Sequence, residues 1–460
     1  MSLRLLLACL VPVMWGAVAG LAMPRGPLTP AAALLSIGLG LAAGAATGYL
    51  ARSRWAMLAA PVVFAAVFEL LRIGASGPSV DAPRITLLGV LALITGRGVH
   101  GLLGLFPLTV GAAYGARPAR GRTAGRLRRY SGRAVTGVLA TIVAAVAIGV
   151  TLPATTAPIA GSGSVAELTT VSGLGLMIRG TDTANPVLLF VPGAPGAAER
   201  GAVRNHLAGL EQHFVMVTLD RRGGGSSYPA IKPTPSPESE ADDILAVAGY
   251  LGKRFGKDRI YLLAHSGGTL PAVLAARRRP ALFHAYIGVG QAVNTGAADR
   301  MQYADTLAWA RAHRDGELAA ALEAVGPPPY NSLYGYEPML LAESRVYGEA
   351  QGGLDESVVA PEYSLLDRIH LFSGFLDAFD LYYPRAGHLD LRTRLTRLAI
   401  PAYFIDGADE VPARLRLMEE WYGMLEAPRK EHLVIPGTGH RSLFEQPDHF
   451  TRILLSRTLD

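Results

Sequence analysis

The chain has 460 residues, with 43 Lys and Arg against 37 Asp and Glu, a net charge of +6 and length enough for two or three domains. Up to Leu152 there are 14 Arg, no Lys and only Glu69 and Asp81 as acids, a balance of +12 that leaves the remainder at −6, so the basic excess does not point to nucleic acid. Cys9 is the only cysteine, which excludes an intrachain disulfide and a cysteine-based metal site.

Residues 3–23, 29–51, 55–73 and 134–152 are apolar runs of about bilayer length. A longer run, Ile85–Ala116, is interrupted by Arg97 and His100 and reads as one span with a polar break or an interfacial start. Residues 1–152 are therefore expected to be an all-α transmembrane region of about five helices, meeting the lipid bilayer through residues 3–152. Arginine bias orients it. Five spans with a cytoplasmic N-terminus put Arg4, Arg52, Arg54 and the seven arginines of Arg117–Arg133 inside, and Arg25, Arg84 and the chain's end outside. Residues 1–19 also read as a cleavable signal peptide ending Ala17-Val18-Ala19, which leaves the other orientations unchanged. Arg97 and His100 are either functional groups within the membrane or side chains snorkelling at its interface. Otherwise the region carries no recognisable chemistry, and its expected role is an anchor.

Residues 153–170 open on Pro, Thr, Gly and Ser with little charge, the composition of a linker. From residue 171 to 460 the pattern turns to strand-like and helix-like segments in alternation, the mark of an α/β domain. Expected strands are Leu176–Arg179, Val187–Val191, Phe214–Leu219, Ile260–Leu263, Ala285–Gly288, Ala402–Ile405 and His432–Ile435, with helices over Ala241–Phe255 and Thr269–Arg278 among those between them. Residues 293–394 lose the strand signal and read as a helical cap. Its aromatics (Trp309, Tyr330, Tyr334, Tyr336, Phe372, Phe375, Tyr382, Tyr383) either line a pocket or pack helices.

The chemistry centres on Arg259–Ala276. A strand runs into Ala264-His265-Ser266-Gly267-Gly268 and then a helix. A turn this sharp strains its apex and needs small residues two places away on each side, and Ala264 and Gly268 supply them. Ser266 is thus a candidate nucleophile, the alternative being a serine in a plain glycine-rich turn. A serine nucleophile needs a base, a carboxylate to orient it and donors for the oxyanion. The last expected strand leads through Pro436-Gly437-Thr438-Gly439 to His440, a base that can reach over a neighbouring strand's elbow. The strand before it ends in Asp406-Gly407-Ala408-Asp409-Glu410, three carboxylates for the orienting role. Backbone N–H groups of Gly267 and of Ala194, in the turn Pro192-Gly193-Ala194-Pro195-Gly196, are the candidate oxyanion donors.

Together P-V-L-L-F-V-P-G-A-P-G (186–196), L-D-R-R-G-G-G-S-S (219–227), Y-L-L-A-H-S-G-G-T (261–269), H-A-Y-I-G-V-G-Q (284–291) and G-T-G-H-R-S-L-F-E-Q-P (437–447) resemble the α/β-hydrolase family. The nearest branch is that of prolyl iminopeptidase-like serine hydrolases, peptidase family S33. The resemblance covers about residues 171–460 and implies an α/β-hydrolase sheet with a cap insertion, and hydrolysis of an ester or peptide bond with no metal or organic cofactor. Two motifs depart from it: such relatives carry His-Gly-Gly-Pro-Gly at the first motif, where this chain has Pro192 and Ala194, and a bulky aromatic where this chain has Gly267. In such relatives the acid stands three residues after the glycine that ends its strand, which from Gly407 gives Glu410, with Asp409 the alternative acid. Aminopeptidase relatives meet the substrate's amine with cap carboxylates, of which Glu337, Glu343 and Glu362 are candidates here. The expected function is a membrane-anchored S33-like aminopeptidase or small-peptide hydrolase outside the cytoplasmic membrane. The alternatives are a carboxylesterase or lipase, or an inactive membrane receptor or transport-associated protein.

Overall fold

The computed structural model describes residues 3–75, 83–117, 126–348 and 354–459. Asp81, Arg120 and Arg122 of the charge count lie outside them. The chain divides into one unit of Met1–Pro153 with Ser364–Ile369 and another of Ala154–Tyr363 with His370–Asp460.

In the first unit every expected apolar run is helical: Leu3–Ala22, Pro30–Ala51, Ala56–Arg72, Leu87–Gly115 and Arg126–Thr151. Four of them are long and apolar enough to cross a membrane: Leu3–Ala22, Pro30–Ala51, Leu87–Gly115 and Arg133–Thr151. The third run makes a helix of only 17 residues, about 26 Å at 1.5 Å per residue, and is the short member. Helices 30–51 and 99–115 approach at glycines. A Cβ on Gly44 would lie 2.1 Å from Leu108 O and one on Gly115 2.0 Å from Ala45 O, the small-residue contact that lets two helix backbones approach closely. The polar break near Arg97 is a π-helical turn, Ile94–Gly98, inside a helix that otherwise continues. Arg97 Nε lies 3.4 Å from Glu69 Oε1, which also takes Arg72 at 3.1 Å, while His100 packs edge-on to Phe68.

The second unit is built on eight strands: β1 Val165–Val171, β2 Leu174–Gly180, β3 Val187–Val191, β4 Val215–Leu219, β5 Ile260–His265, β6 Phe283–Val289, β7 Ala402–Gly407 and β8 Lys430–Ile435. Their order is β1-β2-β4-β3-β5-β6-β7-β8, antiparallel at β1–β2 and β2–β4 and parallel beyond. β3 is apolar throughout, and β4 is apolar but for the buried Thr218, because both faces are covered. Leu189 and Val191 pack into one core layer, Leu188 and Phe190 into the other.

β1 begins within residues read above as linker, so the stretch ahead of the sheet shortens to 153–164. It is a half-buried edge strand, and it turns into β2 through Ser172 and Gly173, both at positive φ as a two-residue hairpin requires. The helix expected over Ala241–Phe255 begins earlier, at Pro237, behind a Ser236–Ser239 capping box.

Between β6 and β7 the chain is helical, as Thr295–Ala312, Gly316–Val325, Leu333–Tyr347, Leu354–Val359, Leu365–Ala386 and Leu391–Arg394. Parallel register brings Val191, Ala264, Gly288 and Val289, Ile405, and then Gly407 and Ile435 side by side. The loops that leave these strand ends therefore share one edge of the sheet.

Candidate active site

The loop after β5 holds Ser266 at φ +49°, a left-handed conformation that a non-glycine residue adopts only under constraint. A Cβ on Gly268 would sit 2.3 Å from Pro192 O, so only glycine lets the elbow close. The Thr269 hydroxyl donates to Ser266 O at 2.5 Å and accepts from Ala292 N at 3.0 Å, which ties the turn to the loop after β6.

His440 arrives from the loop after β8. Gly439 N and Arg441 N, on either side of it, both donate to the Glu445 carboxylate, at 2.7 and 3.1 Å. His440 Nε2 lies 2.7 Å from Ser266 Oγ, and His440 Nδ1 lies 2.7 Å from Glu410 Oε2. Glu410 is buried and also accepts the N–H of Val411 through Oε1 at 2.8 Å. Burial pushes its carboxyl up, yet His440, the hydrogen bond to it, Arg414 and the Val411 N–H together hold it below the usual carboxylate value. A charged carboxylate at Nδ1 fixes the imidazole with a proton there and a bare Nε2 facing the serine.

Of the other two carboxylates of that segment, one is exposed and one is paired with another histidine. Asp409 is exposed, and its N–H donates to Thr438 O. Asp406 Oδ2 meets His432 Nε2 at 2.9 Å. His265 is buried, and its Nε2 donates to His440 O at 3.0 Å. Burial, then the neighbouring His440 and Arg441, drive its pKa well below normal, which favours the uncharged ring.

Ser266 and His440 open on a cavity of about 250 Å3, with Ala194 and Gly267 on its wall. Of the cap aromatics singled out in the sequence, Tyr336, Phe375 and Tyr383 line it, and Phe379 joins them. The others do not. Among the cap carboxylates, Glu343 lines the cavity; Glu362 is buried against Arg204, and Glu337 is buried away from the cavity. Sequence reasoning missed Asp299, a buried lining carboxylate that accepts the Tyr383 hydroxyl at 2.8 Å. Burial pushes it up to about 7, against the pull of Tyr383 and Arg414. Gly290 was missed as well. It stands at φ +57°, where a Cβ would lie 2.8 Å from His440 Cε1. Among the described residues no group of three or more His, Cys, Asp or Glu is placed to hold a metal ion.

Residues 186–333 match the family model described as alpha/beta hydrolase fold. The probable aminopeptidase YbaC of Bacillus subtilis is 26% identical over 288 residues, 61% of this chain and 91% of that protein. Similar solved structures include a proline iminopeptidase-related protein from Thermus thermophilus (18% identity, TM-score 0.44, 64% of this chain and 98% of that one). Another is the carboxylesterase CesB of Bacillus subtilis (14% identity, TM-score 0.42, 65% of this chain and 92% of that one). From β1 onward the chain carries an α/β-hydrolase fold, with a helical insertion between β6 and β7.

Proposed function

We propose that this chain is a membrane-anchored serine hydrolase that cleaves an ester or amide bond through an acyl-enzyme. The observation that carries the reading is the unbroken chain from Ser266 Oγ to His440 to Glu410, two contacts of 2.7 Å each. Ser266 Oγ attacks the carbonyl carbon while His440 Nε2 takes its proton, and Glu410 stabilises the imidazolium. The N–H groups of Ala194 and Gly267 receive the oxyanion. His440 then returns the proton to the leaving amine or alcohol, and a water activated by the same imidazole releases the acid. A receptor-like protein without activity would have no need of these aligned groups beside an open cavity.

An aminopeptidase or small-peptide hydrolase is the first reading of the substrate. It is supported by the printed name of the B. subtilis relative and by Asp299, a buried carboxylate that accepts the Tyr383 hydroxyl and lines the cavity with Tyr336 and Tyr383. A carboxylate among aromatic rings suits a substrate ammonium group. Asp299 takes this role ahead of Glu343, which Arg414 already engages. A carboxylesterase is the second reading, supported by the apolar wall of Met339, Leu340, Phe375 and Phe379, which suits an acyl chain.

The full-length protein in detergent, assayed on aminoacyl-arylamides and on neutral acyl esters, separates the two. Faster turnover of the arylamides supports the aminopeptidase, and hydrolysis of esters alone moves the assignment to an esterase. Equal labelling of wild type and Ser266→Ala by a fluorophosphonate removes the serine mechanism.

Residues 1–152 serve in this reading as the transmembrane region, with the hydrolase domain, cap 293–394 included, on the extracytoplasmic side. The support is the four long apolar helices, the shorter helix Ala56–Arg72 as a fifth crossing, and the arginine bias of their connections. A reporter fused after Pro153 should be active only if it folds outside the cytoplasm. Activity of a cytoplasm-only reporter there overturns the orientation.

A further inference from the structure

Arg221 stands two residues beyond β4, 1% exposed, and the serine–histidine–glutamate chain makes no use of it. Its Nε and Nη2 both reach Glu240 Oε2, at 2.9 and 2.5 Å, and its Nη1 donates to the carbonyl oxygen of Gly193 at 2.5 Å. The ring of Tyr382 lies 5.1 Å from the guanidinium carbon. Glu240 is itself buried, in the first turn of the helix whose start the Ser236 capping box fixes. The guanidinium is held from behind and presents one rigid prong to the turn after β3.

The carbonyl it holds belongs to the same peptide unit as the Ala194 N–H. In a trans peptide the C=O and N–H point in opposite directions across one plane, and the only cis bond among the described residues is Pro328–Pro329. Fixing the Gly193 oxygen therefore fixes the direction of the Ala194 N–H. The same oxygen lies 2.9 Å from where a Cβ on residue 267 would sit, and Arg221 Nη1 lies 3.8 Å from that point. A side chain at 267 and the clamped carbonyl would compete for one volume. Glycine after the nucleophile, the departure from the aromatic of similar enzymes, leaves that volume to the carbonyl.

We propose that Arg221 is a positioning residue for the oxyanion turn: its grip on the Gly193 carbonyl aims the Ala194 N–H at the substrate oxygen, and Gly267 provides the room this requires. The proposal rests on the serine-hydrolase reading above. Deleting an oxyanion donor costs about 10²–10³ in kcat, so releasing one from its clamp is expected to cost about 10- to 100-fold.

The test uses the full-length protein in detergent, p-nitrophenyl acetate as substrate and a phenyl trifluoromethyl ketone as the tetrahedral-adduct probe. The double variant Arg221→Met/Glu240→Met removes the clamp without leaving a lone buried charge. It should lower kcat about 10- to 100-fold with KM within about 2-fold, and weaken the ketone by the same factor, because only the tetrahedral species uses the donor. If the neutral pair does not fold, Arg221→Lys keeps the charge but cannot fork to both partners, and must show the same loss in kcat alone. A variant that loses thermal stability while keeping wild-type kcat, with Ser266→Ala inactive, overturns the role of Arg221 and leaves the serine mechanism standing. Wild-type turnover by Ser266→Ala overturns both.

Discussion

Arg414 and Glu343 meet as a two-pronged ion pair, Nη1 to Oε1 and Nη2 to Oε2 at 3.0 Å each, joining cap helix Leu333–Tyr347 to the helix Pro412–Met424 that follows Glu410. Gln302, on helix Thr295–Ala312, donates to Glu343 at 3.2 Å, so one carboxylate pins three elements over the cavity. Burial pushes the Glu343 carboxyl up, but Arg414 outweighs it and leaves the group at about 2 against an ordinary 4.5. The folded value is the lower one, so this carboxylate contributes its full stability above about pH 4.5 and loses it as pH falls toward 2. Between about pH 5 and pH 3 the Tm of the wild type should fall more steeply than that of Glu343→Gln. Thermal denaturation at several pH values checks this, and parallel slopes would detach the pair from acid stability.

Asp299 has the opposite sign. Its folded value of about 7 lies above the ordinary 3.8, so its contribution is fully favourable below 3.8 and is lost as pH rises through about 7. Asp299→Asn should therefore gain stability relative to the wild type on going from about pH 4 to pH 8. The same substitution separates substrates. Loss of a charged partner, about 1.5–3 kcal/mol, should raise KM for an aminoacyl-arylamide by about 10-fold or more and leave that for a neutral ester within about 2-fold. An equal effect on both substrates would take the ammonium away from Asp299.

The two neighbouring acids after β7 can be told apart by rate. Glu410→Gln removes the charge that stabilises the His440 imidazolium and should lower kcat by about 10³–10⁴. Asp409→Asn alters an exposed side chain and should change kcat by less than about 2-fold. Steady-state kinetics of the two variants on one ester decide it, and the reverse pattern hands the role to Asp409.

How far these groups could be read from the sequence follows from how local their signals are. Ser266 is framed by residues two places away, and His440 by glycines directly before it, so a short window carries both. The parallel strands are runs such as Val-Leu-Leu-Phe-Val, which burial on both faces makes conspicuous. β1 was hidden because an edge strand is half-buried and mixes Thr and Glu with its apolar residues. The cap carboxylates were illegible for a different reason. Glu337 and Glu343 are six residues apart on one helix, about 240° around it, so at most one of them can face the cavity, and only packing decides which. Asp299 with Tyr383 and Arg221 with Gly193 join segments far apart in the chain, and their residue types alone announce nothing.

Gly290 offers a way to disturb the base without touching it. It stands at φ +57°, and a Cβ there would meet His440 Cε1 at 2.8 Å, His440 Nδ1 at 3.0 Å and Glu410 Oε2 at 3.3 Å. Gly290→Ala therefore adds backbone strain of about 1 kcal/mol and also pushes the imidazole and its carboxylate apart. Gly256 separates the two effects. It ends helix Pro237–Phe255 at φ +62°, with nothing within 4 Å of a Cβ. Gly256→Ala should thus lower Tm by a similar few degrees, on the order of 2–4 °C, and leave kcat unchanged. Gly290→Ala should lower Tm as much and kcat by about 100-fold besides, since a displacement near 1 Å at a catalytic group costs about that much. Thermal melts and fluorophosphonate labelling rates of the two variants supply the comparison. Equal labelling rates would mean that the His440–Glu410 pair has slack enough to absorb a methyl group.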